Sequence, residues 1–332
     1  MAGRRTNLAL RVLLPASVAT GALTFLVGSG PVLLVVVAHG VVALGLLVLL
    51  PWKQSIARRG LARRRRDRWL SLTLTAMVLL ALASGLAHST GLLLRAGPLT
   101  AMQVHVAVAL VALIAGLAHA RRRRTRARSG DLSRRTVVRA GLGVAVASVG
   151  YAALEGTASA LSLPGAQRRA TGSYERGSGD PSTMPTTSWL FDTVPDDDPA
   201  TWQLAVTSGA TSQSFALNRL REYDDELTAV LDCTGGWWAE QRWRGVRVAR
   251  LLPPGATGSV EVVSATGYRR RLPLTDHLLL AVDVGGARLS RGHGGPLRLV
   301  VPGRRGFHWV KWVTRIEHDD QPWWLQSPLP LR

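Results

Sequence analysis

The chain has 332 residues and a single cysteine, Cys233. That scarcity excludes an internal disulfide framework and any four-thiol zinc site, so the thiol is either inert or used alone. Acidic residues are also missing, but from one half only. Residues 1–139 hold 21 Lys and Arg against two acids, Asp67 and Asp131, for a charge of +19, whereas the remainder is nearly balanced at +1. The overall +20 is therefore no measure of a uniformly basic surface. Nor does any apolar run long enough to cross a bilayer occur after residue 161. The chain divides into two parts of different character.

The basic half is interrupted by apolar stretches at Leu8–Val27, Pro31–Leu50, Trp69–Leu94 and Leu99–Ala120. Each is close to the ~20 residues that cross ~30 Å of hydrocarbon at 1.5 Å per residue. Arg11 and Arg95 lie near the ends, where long side chains reach the interface. The remaining basic residues fall at the N-terminus, in Lys53–Arg68 and in Arg121–Arg139. Under the positive-inside rule these three segments are cytoplasmic, and Gly28–Pro31 and the region of Thr90–Pro98 lie outside. The charges flank apolar spans and do not cover one folded face, so the expected partner is the lipid bilayer, with no nucleic acid. A weaker fifth span, Thr136–Leu161, contains Glu155 and several small residues. Before it, Ser133–Arg139 (SRRTVVR) resembles the twin-arginine export signal, and an ordinary basic flank is the plain alternative. Either way the later residues are expected outside the cytoplasmic membrane.

From Pro164 the composition turns polar, with a turn-rich linker over residues 164–188. Alternating runs at Trp202, Glu226, Ser259, Leu297 and His308 predict strands, while Gln213–Tyr223 and Val248–Pro254 suggest short helices. The expectation is an α+β domain of about 160 residues, enough for its own core.

Three pieces of this half occur in a telling order: LDCTGGW around Cys233, W-x-G-V-x-V-x-x-LL at Trp243–Leu252, and HG-x-P-L-R-L-V-V-P…G-F…V-K-W at His293–Trp312. Together they resemble the molybdopterin-binding domain of the sulfite oxidase family, and are most similar to bacterial periplasmic members that reduce methionine sulfoxide. The likeness covers about Tyr174 to Glu317. It implies a molybdenum-molybdopterin cofactor whose metal is held by the Cys233 thiolate, a soft ligand suited to such a metal. It also implies that Arg298 and Lys311 lie near the pterin and its phosphate, that His293 bonds the cofactor or caps its turn, and that Tyr174 lines the pterin. Arg and Lys suit an anionic phosphate because charge-assisted hydrogen bonds are the strong ones. Two departures bear on substrate. The cysteine is followed by TGGWW where sulfite oxidase proper has a pair of arginines, and Val282 stands where that enzyme has a tyrosine. A neutral sulfoxide-like substrate is therefore expected over an anion.

Four histidines lie in the apolar spans: His39, His88, His105 and His119. Ionisable residues inside a membrane are functional candidates, and paired imidazoles are good axial ligands for haem b. His105 and His119 are 14 residues apart, leaving them about 40° from one helix face and ~21 Å apart along it, a spacing similar to that of ferric-reductase-like cytochromes. By depth, His39 and His105 pair best; His88 is the alternative partner, and His119 has no obvious opposite. Histidines that simply bond neighbouring helices are the bland reading.

The expected architecture is a multi-domain membrane protein. A transmembrane bundle over 1–120 is followed by a basic loop and fifth anchoring span over 121–163, then an extracytoplasmic α+β oxidoreductase domain over 164–332. The expected function is a membrane-anchored molybdenum oxidoreductase that takes electrons from a quinol or membrane reductase, through a haem in its own helices or a separate partner. The alternatives are a non-catalytic binding or sensing protein on the same fold and a sulfite-oxidising enzyme.

Overall fold

A computed structural model of the chain describes residues 2–28, 32–61, 68–97, 99–122, 125–188, 192–196 and 198–328. These form two compact units, Met1–Phe25 with Gly30–Gly172, and Leu26–Ser29 with Ser173–Arg332.

The first unit is helical. Its elements are α1 (Ala2–Leu26), α2 (Val32–Leu61), α3 (Arg68–Thr90), a two-residue hairpin of β1 (Arg95–Ala96) and β2 (Leu99–Thr100), α4 (Ala101–Arg122) and α5 (Arg134–Ala160). All five helices are long and apolar enough to cross a membrane. α3 packs on α4 and α2 on α5. Much of the apolar surface points outward instead, with Leu34 73% and Ile114 69% exposed. The third helix stops four residues short of the sequence expectation. Gly91 follows it at φ +74°, the left-handed turn that commonly terminates a helix.

The second unit is built on two sheets. Its strands are β3 (Tyr174–Glu175), β4 (Gln203–Ser208), β5 (Thr211–Ala216), β6 (Asp225–Cys233), β7 (Trp237–Arg247), β8 (Ser259–Ser264), β9 (Arg269–Pro273), β10 (Leu279–Val284), β11 (Ala287–Arg288), β12 (Arg298–Val300) and β13 (Val313–Asp319). One sheet runs β11-β10-β7-β3, with β12 also on β10 and β6 also on β7; the other runs β5-β4-β13-β8-β9. β7 alternates buried Trp237, Ala239, Gln241 and Trp243 with more exposed neighbours, the period-two pattern of a strand with one face on a core. Gly245 sits where that strand meets β10 closely, and a Cβ there would lie 1.9 Å from the Leu280 carbonyl oxygen. The core joins both sheets through Trp243, Leu204, Leu272, Leu280, Leu299 and Ile316, all under 2% exposed.

Three sequence expectations need correcting. Gln213–Tyr223 is helical only at Leu217–Arg221 (α6), because the Gly209 turn folds Thr211–Ala216 back along β4 as a six-residue antiparallel pair. Val248–Pro254 yields only a 3-10 turn at Val248–Leu251, since Pro253 and Pro254 bar its continuation. The strand expected from His308 begins only at Val313. The residues before it make a 3-10 turn and an irregular segment that lines the cleft described next.

Candidate active site

Cys233 is the last residue of β6, paired across the hairpin with Trp237 at the start of β7. The turn between them is Thr234-Gly235-Gly236. Gly236 adopts φ +88°, and the Gly235 N–H donates to Cys233 Sγ at 3.3 Å. The sulfur thus sits at a strand end, with a backbone donor aimed at it. It opens into a cleft of about 690 Å³, open mouth included. His293, Arg298 and Lys311 contribute to the lining, and Tyr268, Phe307 and Trp309 form aromatic walls. Burial pushes the thiol pKa up, opposed by the Gly235 donor, Thr187 and the guanidinium groups of Arg305 and Arg298.

The three basic residues have different surroundings. Arg298 is 3% exposed; its Nη1 donates to the His293 carbonyl at 2.7 Å, and its Nε has no partner. Among the described residues no carboxylate pairs with it. Burial brings its pKa down to about 10. Lys311 lies across the cleft, donating to the carbonyls of Gly292 at 2.5 Å and Thr187 at 2.9 Å, and burial together with Arg298 brings its pKa down to about 7. Gly294 makes that close approach possible, since at φ +104° a Cβ would lie 2.9 Å from Lys311 Cγ. His293 has both ring nitrogens engaged within the protein, Nδ1 with Ser290 Oγ at 2.9 Å and Nε2 with the Met184 carbonyl at 2.9 Å. It stitches the Met184–Thr187 segment to the 290–294 turn. Tyr174 is not among the residues lining this cleft; it is buried, and its strand runs parallel to β7 with Tyr174 beside Trp237.

The donor set suits a soft metal joined to an anionic group. A lone sulfur shares the cleft with the buried Arg298, whose Nε is orphaned, and the partly buried Lys311, and buried charge without an opposite charge is costly.

Sequence reasoning missed several contributors. Thr187, in what reads as a linker, accepts from Trp237 Nε1 at 3.1 Å and lines the cleft. Tyr268 donates to the Phe307 carbonyl at 2.5 Å and forms another wall. Beneath the cysteine, Asp232 accepts from Arg305 Nη1 at 2.5 Å and from Ser173 Oγ at 2.7 Å, all three residues buried. No spacing in the sequence marks these partners, which are 132, 73 and 59 residues apart.

In the helical unit, His39 and His105 come together, their ring centroids 6.0 Å apart with planes at 84°. His39 Nδ1 lies 3.1 Å from Thr20 Oγ1, and His105 Nδ1 bonds the Ala81 carbonyl at 2.8 Å. The rings lie against Gly21 and Gly85, where a Cβ would come within 3.2 and 3.0 Å. His88 and His119 are engaged elsewhere: His88 Nε2 bonds the Gly172 carbonyl at 2.8 Å, and His119 Nδ1 is 3.4 Å from Ser71 Oγ.

Residues 191–325 match the family model described as oxidoreductase molybdopterin binding domain. The C-terminal unit is similar to a molybdopterin-binding oxidoreductase. Among curated proteins, the mitochondrial sulfite oxidase of Rattus norvegicus is 28% identical, over 39% of this chain and 31% of that protein. The mitochondrial sulfite oxidase of Homo sapiens is 29% identical, over 37% of this chain and 30% of its own length. The chain thus spans about a third of the length of these relatives. The crystal structure of the sulfane dehydrogenase SoxCD from Paracoccus pantotrophus is 24% identical, covers 39% of this chain and 40% of that chain, and gives a TM-score of 0.36.

Proposed function

We propose that the protein is a membrane-anchored molybdenum oxidoreductase that removes oxygen from a sulfoxide-type substrate outside the cytoplasmic membrane. The observation that carries this reading is the single cysteine of the chain in a cleft that also holds the buried Arg298 and the partly buried Lys311, in a region matching the molybdopterin-binding family model. Cys233 would hold the metal. Arg298 and Lys311 would face the anionic part of the pterin, and the backbone N–H of Gly235 would steady the sulfur as a thiolate. Bound there, the cofactor supplies oxygen-atom transfer; the protein supplies binding, orientation and the exclusion of water. His293 holds two loops in register so that Lys311 and Arg298 converge. The aromatic walls favour a neutral substrate. A substrate screen comparing sulfoxides with sulfite, the substrate named in the relatives, decides between the two chemistries. Cys233→Ser is expected to purify folded but without molybdenum and without activity. Retained metal and turnover would overturn the assignment of the sulfur.

Electron delivery through the helices is part of the same proposal. His39 and His105 would hold a haem b, because their rings come together 6.0 Å apart with each Nδ1 engaged within the protein. The reduced-minus-oxidised spectrum of the purified chain is expected to show b-type bands that disappear in His105→Ala. A spectrum without them removes the haem and leaves the molybdenum reading standing.

A further inference from the structure

Large apolar side chains are rarely exposed in the second unit, but two neighbours are, Trp324 at 65% and Leu325 at 64%. They do not sit on a loose tail. Ser259 Oγ donates to the Gln321 carbonyl at 2.6 Å, and Leu325 N closes a turn on the Pro322 carbonyl at 2.9 Å. The Gln326 amide then pairs twice with the backbone of Arg271, accepting from its N–H at 3.1 Å and donating to its carbonyl at 2.6 Å. Arg271 lies in β9, the edge strand of the five-stranded sheet, so Gln326 covers backbone groups that an edge leaves bare. The turn is fixed at both ends, with its two apolar side chains facing out.

Arg304, partly exposed, stacks on Trp323 at 4.5 Å beside the turn, whereas Arg270 is only 4% exposed and anchors the turn from within, its Nη1 donating to the Ser327 carbonyl at 3.2 Å. Among the described residues Arg304 has no carboxylate partner. The 303–305 loop also packs on Gly28, where a Cβ would lie 2.9 Å from Arg305 N and 3.1 Å from the Gly303 oxygen. Gly28 lies in the Leu26–Ser29 segment of the same compact unit, two residues past the end of α1.

Trp and Leu beside Arg is the combination favoured at the membrane interface, where the apolar parts enter the acyl boundary and the cations meet anionic headgroups. We propose that the Trp324–Leu325 turn, with Arg304 beside it, is a lipid-binding surface that rests on the bilayer carrying the chain's own helices. This inference rests on the reading that those helices span the membrane.

The test uses the full chain in nanodiscs of phosphatidylcholine and phosphatidylglycerol containing lipids spin-labelled near the headgroup or deep in the acyl chain. Single variants Leu325→Cys, Ile114→Cys and Ser212→Cys carry the dye NBD, and the unsubstituted chain, whose Cys233 is buried, is the labelling blank. The expected result is quenching at 325 by the shallow label, quenching at 114 by the deep label, and none at 212, an exposed position on β5. Quenching at 114 but not at 325 overturns the lipid surface while the spanning helices stand. Absence at 114 removes the membrane reading, and this surface with it. Equal quenching at 212 shows indiscriminate adsorption and also overturns the proposal.

Discussion

Arg298→Met is the perturbation that best separates a binding cation from a structural one. Burial brings the guanidinium well below the ordinary arginine range, to about 10, and the side chain is 3% exposed, so at ~1.36 kcal/mol per unit keeping it charged costs about 3 kcal/mol. Three favourable contacts offset this. One hydrogen bond to His293 is worth ~1 kcal/mol. Two cation–π contacts, to Trp243 at 5.7 Å and Trp309 at 5.8 Å, lie near the outer limit of that interaction and contribute about 0.5 kcal/mol each. Methionine fills similar volume without charge. The cofactor-free protein is therefore expected to keep its stability or gain about 1 kcal/mol, where truncation of an ordinary buried side chain would cost ~2–5 kcal/mol. The molybdenum-loaded protein is expected to lose cofactor retention, because the buried cation exists for an anion. Thermal unfolding of the apo and loaded forms, with molybdenum content after dialysis, provides the readout. A loss of 2 kcal/mol or more in the apo form, with metal retention unchanged, would refute the reasoning and make Arg298 a structural stitch.

Lys311 sets a pH dependence. Its folded pKa is brought down to about 7, while an unfolded lysine holds its proton to ~10.4, so between these values unfolding takes up a proton and stability rises with pH. One proton taken up on unfolding sets the slope at up to ~1.4 kcal/mol per pH unit, less where solvent reaches the partly exposed amine. Denaturant unfolding of the apo chain in detergent, followed by tryptophan fluorescence, should show this rise from pH 7 to 9 and lose it in Lys311→Met; nine of the eleven tryptophans lie in the C-terminal half. Asp232→Ala leaves the buried Arg305 guanidinium without its carboxylate and is expected to cost ~3–5 kcal/mol, measurable as a lower unfolding midpoint. An unchanged midpoint would show that Arg305 finds another partner.

The extent to which the site could be read from sequence differs residue by residue. Cys233, Arg298, Lys311 and His293 were legible through the family resemblance that their motifs carry, and the structure brings all four around one cleft. Tyr174 belongs to the same pattern but is not among the residues lining that cleft; it sits beside Trp237 in the sheet. Gln213–Ala216, the first part of the expected Gln213–Tyr223 helix, is strand instead, because pairing with β4 outweighed the local preference.

The five apolar helices were legible in the sequence, because their apolar runs have the length and composition of helices that cross a membrane. The position of the thiol at a strand end was likewise legible, as it depends on local pattern and turn residues. Only the tertiary structure decided the rest. Arg305 and Ser173 are brought beneath Cys233 by contacts across 60 to 132 residues, Thr187 becomes a wall, and His39 meets His105. Such meetings depend on how whole strands and helices pack, and no local spacing encodes which distant side chains will share one buried volume.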